Sequence, residues 1–204
     1  MSTGQLAPDV NVSRETWDRL CIYENLLRRW QTRINLVSNS TLDALVHRHF
    51  ADSAQILPYV PTAKIFADMG SGAGFPGLVL GIQLVERSDG QVHLIESDAK
   101  KCAFLREVIR ETSARAEVHR GRVEDILPTL RVDVVMARAL ASLSKLLDYA
   151  APSIRNGATG AFLKGQDVHA ELTGLGPHSS LKFEIHPSKT DPKGALVLVR
   201  RPDE

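Results

Sequence analysis

Cysteine is scarce in this sequence. Its two thiols, Cys21 and Cys102, lie far apart and form no CxxC pair, which argues against a disulfide framework, structural zinc or an iron–sulfur cluster. Each falls within an apolar helical pattern and is expected to pack as a small apolar side chain; no metal is expected. Long apolar runs are missing too. The longest, Phe75 to Val85, is interrupted by Gly81 and Gln83 and falls far short of the ~20 residues that span a bilayer. The opening segment, MSTGQLAPDV, has neither a basic start nor an apolar stretch, so no export signal is read, and a cytoplasmic protein without a membrane partner is expected. An excess of one charge is absent as well, with 25 basic side chains against 24 acidic ones. That balance neither requires nor excludes a nucleic-acid partner, because a local basic patch is enough for phosphate contact.

What is present is an ordinary globular composition, 43% hydrophobic and 24% charged, which leaves no call for disorder or a fibrous architecture. A chain of 204 residues fits one domain with a substantial core and a small appendage. We divide it near Pro58 and Pro61 into an N-terminal helical extension, residues 1–60, packed on an α/β domain, residues 61–204. In the extension Ser13 has the character of an N-cap with Glu15 in the first turn. Trp17, Leu20, Cys21, Leu27, Trp30 and Ile34 then recur at roughly helical spacing. A second helix is expected from Ser40 or Thr41 through Leu42, Leu45, Val46 and Phe50 to Leu57, where Pro58 stops it.

From Lys64 onward short apolar runs (KIFAD, VHLIE, AEVH, VDVVMA, GAFLK) alternate with helical stretches. Such alternation implies a parallel sheet with helices on both faces. Two late runs, Leu181 to His186 and Ala195 to Arg200, follow one another without a clear helix between them and read as an antiparallel pair at one edge.

The most informative segment, DMGSGAGFPG from Asp68 to Gly77, follows the first of these strands and opens a helix. Glycines there let the backbone approach a ligand closely, a merely tight turn being the bland alternative. A dinucleotide fingerprint would need glycine at position 75, but Phe75 stands there and the third glycine comes one residue early, at Gly74. GxGxG preceded by Asp68 better suits S-adenosylmethionine, which has no pyrophosphate but carries a cationic aminoacyl end and a sulfonium, so that a nearby carboxylate is useful. Glu96 ends the second strand where nucleotide-binding folds use an acid for ribose hydroxyls, and it also suits the N-terminus of the helix beginning near Asp98. Gly121 to Asp125 opens another short helix after the third strand, and Arg138 stands at the end of the fourth. Glu124 or Arg138 alone reads as evenly for a surface charge or half of an ion pair as for a ligand group. The convergence of four successive strand ends carries more weight than any single motif, because open parallel sheets bind ligands at that edge. Candidate cofactor contacts are Asp68, Gly70, Ser71, Gly72, Phe75, Glu96, Val123, Glu124 and Arg138. The expected fold is α/β, a Rossmann-like class I methyltransferase with a mostly parallel seven-stranded sheet, an antiparallel edge and N-terminal helices.

Some methyl-transfer chemistries leave traces that are missing here. There is no Asp/Asn-Pro-Pro-Tyr/Phe segment to position an exocyclic amine, and Cys102, inside a helical pattern, is the only late candidate for the nucleophile that cytosine C5 methylation needs. A ring nitrogen with a free lone pair, such as guanine N7, needs neither a general base nor a covalent intermediate; positioning and electrostatics suffice, and no catalytic side chain is assigned.

Several stretches together resemble one family along nearly the full length. NLVS at Asn35 to Ser38, RHFADS at Arg48 to Ser53, DMGSGAGFPG at Asp68 to Gly77, ESDAKKCAFL at Glu96 to Leu105, GRVED at Gly121 to Asp125, ARALASL at Ala137 to Leu143 and LKG at Leu163 to Gly165 are similar to the bacterial small-subunit rRNA guanine-N7 methyltransferases (RsmG, also called glucose-inhibited division protein B, GidB). The resemblance implies a bacterial, S-adenosylmethionine-dependent enzyme that leaves S-adenosylhomocysteine and methylates N7 of one guanine, position 527, of 16S rRNA in assembled or nearly assembled 30S subunits. It also implies that Gly70 and Phe75 contact the cofactor, Val123 and Glu124 frame the adenine, Glu96 holds the ribose and Arg138 completes the site. The family often has Asp where Glu96 stands, and either carboxylate accepts two hydroxyl hydrogen bonds. PKGALVLVRR near the C-terminus matches loosely, and no functional residue is carried over there.

Candidate RNA contacts are Arg28, Arg29 and Arg33 with Asn35, the Arg48/His49 pair, Lys100, Lys101 and Lys164. A solvated helix face explains the arginines equally well, Lys164 reads equally as a structural cap, and His49 and Asp52 could stitch the N-terminal helices to the sheet. A monomer is expected. Three rival readings stay open: a small-molecule methyltransferase on the same fold, a nicotinamide oxidoreductase disfavoured by Phe75, and a non-catalytic assembly factor that keeps the cofactor pocket.

Overall fold

Side-chain parity along each strand divides the core in two. The computed structural model describes residues 4–7, 10–38, 49–87, 89–166, 168–175, 178 and 180–202. The strands are β1 (Gly4–Ala7), β2 (Val10–Val12), β3 (Ile65–Met69), β4 (Gln91–Glu96), β5 (Ala116–Arg120), β6 (Val134–Arg138), β7 (Thr159–Lys164), β8 (Lys182–Pro187) and β9 (Ala195–Arg200). Helices are α1 (Arg14–Gln31), α2 (Ala51–Ala54), α3 (Gly77–Gln83), α4 (Ala99–Thr112), α5 (Val123–Ile126), α6 (Leu143–Arg155) and α7 (Val168–Thr173). Phe66, Val92, Leu94, Val134 and Met136 face a core shared with α1, α3 and α4, whereas Ala67, Met69, Ile95, Val135 and Ala137 face one shared with α6. Successive strand residues point to opposite faces, so a central strand covered on both sides reads as a continuous apolar run.

Strand order in the main sheet is β5-β4-β3-β6-β7-β9-β8. The first five strands pair in parallel, and β9 runs antiparallel between β7 and β8. The expected antiparallel edge is there, with the last strand inserted inside it. Between β3 and β6 the winding reverses, which opens a crevice above the carboxyl ends of the strands.

Ser13 caps α1 by accepting from the Thr16 amide at 3.0 Å. The hydroxyls of Ser13 and Thr16 both donate to Glu86, tying the start of α1 to the end of the α3 segment. At its other end Glu107 of α4 accepts from Arg29 at 2.5 Å and from the Trp30 indole at 2.8 Å. The helix stops at Gln31, short of the expected Ile34, because the Gln31 side chain captures the backbone amides of Leu36 and Val37 at 3.0 and 3.1 Å and folds the chain back. Two further details differ from expectation. A short β1–β2 hairpin precedes α1. Pro58 does not end the second helical segment but sits in a 3₁₀ turn, Leu57–Tyr59, at a position whose missing N–H is not needed. The start of that segment, with Arg48, lies outside the described residues.

Buried aromatic rings link the extension to the sheet. Tyr23 stacks near Phe50 and Phe75, with centroids 5.3 and 5.5 Å away, and its hydroxyl donates to the Ala73 carbonyl at 2.5 Å. Tyr23→Phe strands that carbonyl in an apolar setting and is expected to lower unfolding free energy by about 1–3 kcal/mol in urea titrations. A change under about 0.5 kcal/mol would show that the loop does not depend on this bond.

Candidate functional site

The chain after β3 turns back sharply enough to expose its own backbone. Gly70, Gly72 and Gly74 all have positive φ, and at Gly74 (φ 98°) a Cβ atom would also sit 2.6 Å from the Tyr23 hydroxyl. Only glycine fits there without strain. The loop ends where the Gly77 amide donates to the Asp68 carboxylate at 3.0 Å.

Glu96, at the end of β4, holds this loop from the other side. One carboxylate oxygen accepts from the Gly72 amide at 2.9 Å and the other from the Asp98 amide at 2.8 Å. Each oxygen keeps a further lone pair for a ligand hydroxyl. The side chain is otherwise buried. Asp98 then caps α4, accepting from the Lys100 and Lys101 amides at 2.7 and 3.0 Å, and those bonds hold its carboxyl below the usual range.

Gly70, Ser71, Gly72, Phe75, Glu96, Val123, Glu124 and Arg138 all line one cavity of about 550 Å³ at the carboxyl edge of β3 to β6. Its volume falls within the range of small-molecule and cofactor sites. Glu124 is exposed at its rim, its carboxyl lowered by a bond from its own amide, by Tyr149 and by Lys145. Arg138 is braced by Asp52, with Nε 3.6 Å from Oδ2, and its guanidinium lies 5.9 Å from the Phe75 ring centre. His49 also stacks with the Phe75 ring, with centroids 4.8 Å apart.

Asp68 departs from the expectation. Its carboxylate is fully buried and does not line the cavity, because Asp68 shares strand parity with Phe66 and points under the loop toward α3. One oxygen meets the Gly77 amide and Oδ1 has no hydrogen-bond partner among the described residues. Burial, with Glu96 nearby, raises its pKa to about 7 despite the Gly77 bond.

The expected RNA contacts are scattered. Lys101 lines the cavity, while Lys100 and Arg33 are exposed nearby in sequence to it and to the end of α1. Arg28 pairs with Glu24 at 2.8 Å and Arg29 with Glu107. Lys164 is turned inward: its ammonium donates to the Ala141 carbonyl and pairs with Glu171, both at 2.9 Å. Arg48 lies outside the described residues. Unforeseen lining residues include Leu36, Val37, Ala139, Leu140 and Tyr149. A second hollow of about 250 Å³ shares Arg138 and Ala139 with the first and is bounded by Asp52, Lys164, Glu171, Ser188 and Thr190. Asp52 accepts from Ser188 there at 3.0 Å, joining α2 to the β8–β9 loop.

Comparison with known proteins gives a consistent result. Residues 17–187 match the GidB family, described as rRNA small subunit methyltransferase G. Curated proteins called ribosomal RNA small subunit methyltransferase G from Parvibaculum lavamentivorans and Rhodospirillum rubrum are 50% and 48% identical, over 93% and 98% of this chain and 85% and 97% of theirs. Among solved structures, cofactor-bound Rv0187 from MTB superposes with a TM-score of 0.65 at 18% identity over 90% of both chains. SAH-bound Podospora anserina methyltransferase PaMTH1 gives 0.59 at 13% identity over 94% of this chain and 97% of its own. These structural likenesses bear on the fold.

The raised Asp68 pKa has a signed consequence for stability. The folded protein binds this proton more tightly than the unfolded chain, so the contribution is full below the ordinary value of 3.8 and is lost as pH rises through about 7. Asp68→Asn keeps an acceptor for Gly77 and removes the titration. Between pH 4 and 8 the wild type is expected to lose up to about 4 kcal/mol more unfolding free energy than the variant in denaturant titrations. Parallel stability curves for the two proteins would contradict this.

Proposed function

The chain belongs to the rRNA small subunit methyltransferase G family, and from that premise we propose that it methylates N7 of guanine 527 in 16S rRNA from S-adenosylmethionine. It acts as a cytoplasmic monomer on assembled or nearly assembled small subunits. The observation that carries this reading is the cavity at the switch point with Glu96 inside it, both carboxylate oxygens fixed by backbone amides and still open to hydroxyl donors.

In this assignment Glu96 receives the ribose hydroxyls. Val123 packs on the adenine, with Glu124 at its edge. The backbone of Gly70 to Gly72 and the ring of Phe75 border the aminoacyl end, whose carboxylate meets the guanidinium of Arg138. The buried Asp68 acts behind the loop, through Gly77, and not by direct contact. S-adenosylmethionine supplies the reaction with a methyl group on a positively charged sulfur. The site would hold guanine N7 in line with that methyl, so that its in-plane lone pair could accept it, with S-adenosylhomocysteine as the neutral leaving product and the positive charge ending on the base. N7 carries no proton, so no general base is required; the protein's share is alignment and electrostatics. The base would enter the second hollow, which shares Arg138 and Ala139 with the first. Arg33, Lys100 and Lys101 are the cations best disposed to touch phosphates, with Arg28 and Arg29 contributing after exchange of their carboxylate partners.

Labelled methyl is expected to pass from S-adenosylmethionine to 30S subunits purified from a strain lacking the enzyme, and to map to N7 of one 16S guanine. Label on free metabolites alone would favour a small-molecule acceptor. Arg138→Ala is expected to weaken S-adenosylmethionine binding at least tenfold and Arg29→Ala less than about twofold, the scale of one charge-assisted bond. Equal affinities in calorimetric titrations would undo this division of roles.

A further inference from the structure

Away from the cavity, the outer edge of the sheet carries two imidazoles and a carboxylate at one spot. His93 on β4 and Glu117 on the edge strand β5 are register partners, and His119 lies two residues beyond Glu117. All three share the strand parity of Ile95, so they project from the sheet face opposite to the one on which Ala116 and Val118 pack against the α3 and α4 core. His93 Nδ1 and His119 Nε2 are 2.9 Å apart, and Glu117 Oε2 lies 3.9 and 4.0 Å from them. Ligands around a tetrahedral ion with bonds of ~2.0–2.1 Å are about 3.3 Å apart, so small side-chain rotations convert this triangle into a coordination set.

From this cluster we propose a divalent transition-metal site formed by His93, His119 and Glu117. Two imidazoles with one carboxylate favour zinc among common cellular cations and leave a position for water. Across the 2.9 Å contact one ring nitrogen already presents its lone pair and the other carries the proton, so a shift of tautomer in the donor ring alone turns both lone pairs toward a metal. The histidine side chains are 16% and 20% exposed and Glu117 is 61% exposed, so two ligands are held by the sheet while the third stands at the solvent side as an entry route. The scarcity of cysteine bears only on thiolate sites. A metal here clamps β5 to β4, the strands that lead into Gly121 and Glu96.

The full chain, stripped with a chelator, is titrated with zinc against a chromophoric competitor. One equivalent is expected to bind, with zinc absorption spectra showing imidazole nitrogen ligands, and zinc is expected to raise the thermal midpoint of the wild type. His119→Ala is expected to lower zinc affinity at least tenfold and Glu117→Gln several-fold. His178→Ala is expected to leave it unchanged, because His178 pairs with Asp148 elsewhere. Failure of the wild type to take zinc from the competitor overturns the proposal, as does undiminished affinity in both His93→Ala and His119→Ala.

Discussion

The carboxylate of Glu96 is the joint on which the site depends. Two backbone amides from different segments, Gly72 in the loop after β3 and Asp98 at the head of α4, converge on its two oxygens. Without an acceptor between them those donors would be left short of partners in a nearly buried place, which costs more than a typical hydrogen bond contributes. One side chain therefore fixes the glycine loop, the start of α4 and the floor of the cavity together. The Gly121 amide, donating to the Glu96 backbone carbonyl at 3.1 Å, adds the turn after β5 to the same point.

A second constraint runs through aromatic packing. Phe75, at the turn of the loop, lies against Tyr23 of α1 and His49 of the next helical segment, and Arg138 approaches it from β6. Asp52 completes the chain of contacts by bracing Arg138 and receiving Ser188 from the β8–β9 loop. The N-terminal helices thus do more than cover apolar surface. They help set the position of the guanidinium that borders both hollows, so that the two share a common wall.

The sheet was legible in the sequence because its strands, covered on both faces, stand out as apolar runs, and its carboxyl edge was marked by glycines and charges at successive strand ends. For Asp68 the signal for a place beneath the loop was available in the sequence. Parity with Phe66 and a glycine at position 77 with no Cβ to block the approach both point it under the loop. Lys164 and Arg29 could not be read in the same way, since Glu171 and Glu107 meet them only after the chain has folded. The place of β9 between β7 and β8 is likewise a tertiary fact, and the β1–β2 hairpin is too short to show a period. The lining by Leu36 and Val37 depends on the Gln31 side chain bending the chain after α1, which no local pattern announces.

Titration of S-adenosylmethionine into Glu96→Gln and Glu96→Asp, each beside its thermal midpoint, tests the central role of this carboxylate most directly. The amide puts an NH₂ group against a backbone donor, so Glu96→Gln is expected to lower both stability and cofactor affinity, the latter by more than about tenfold. Glu96→Asp keeps two acceptors and is expected to retain affinity within about threefold. Wild-type affinity and stability in the Gln variant would contradict the account.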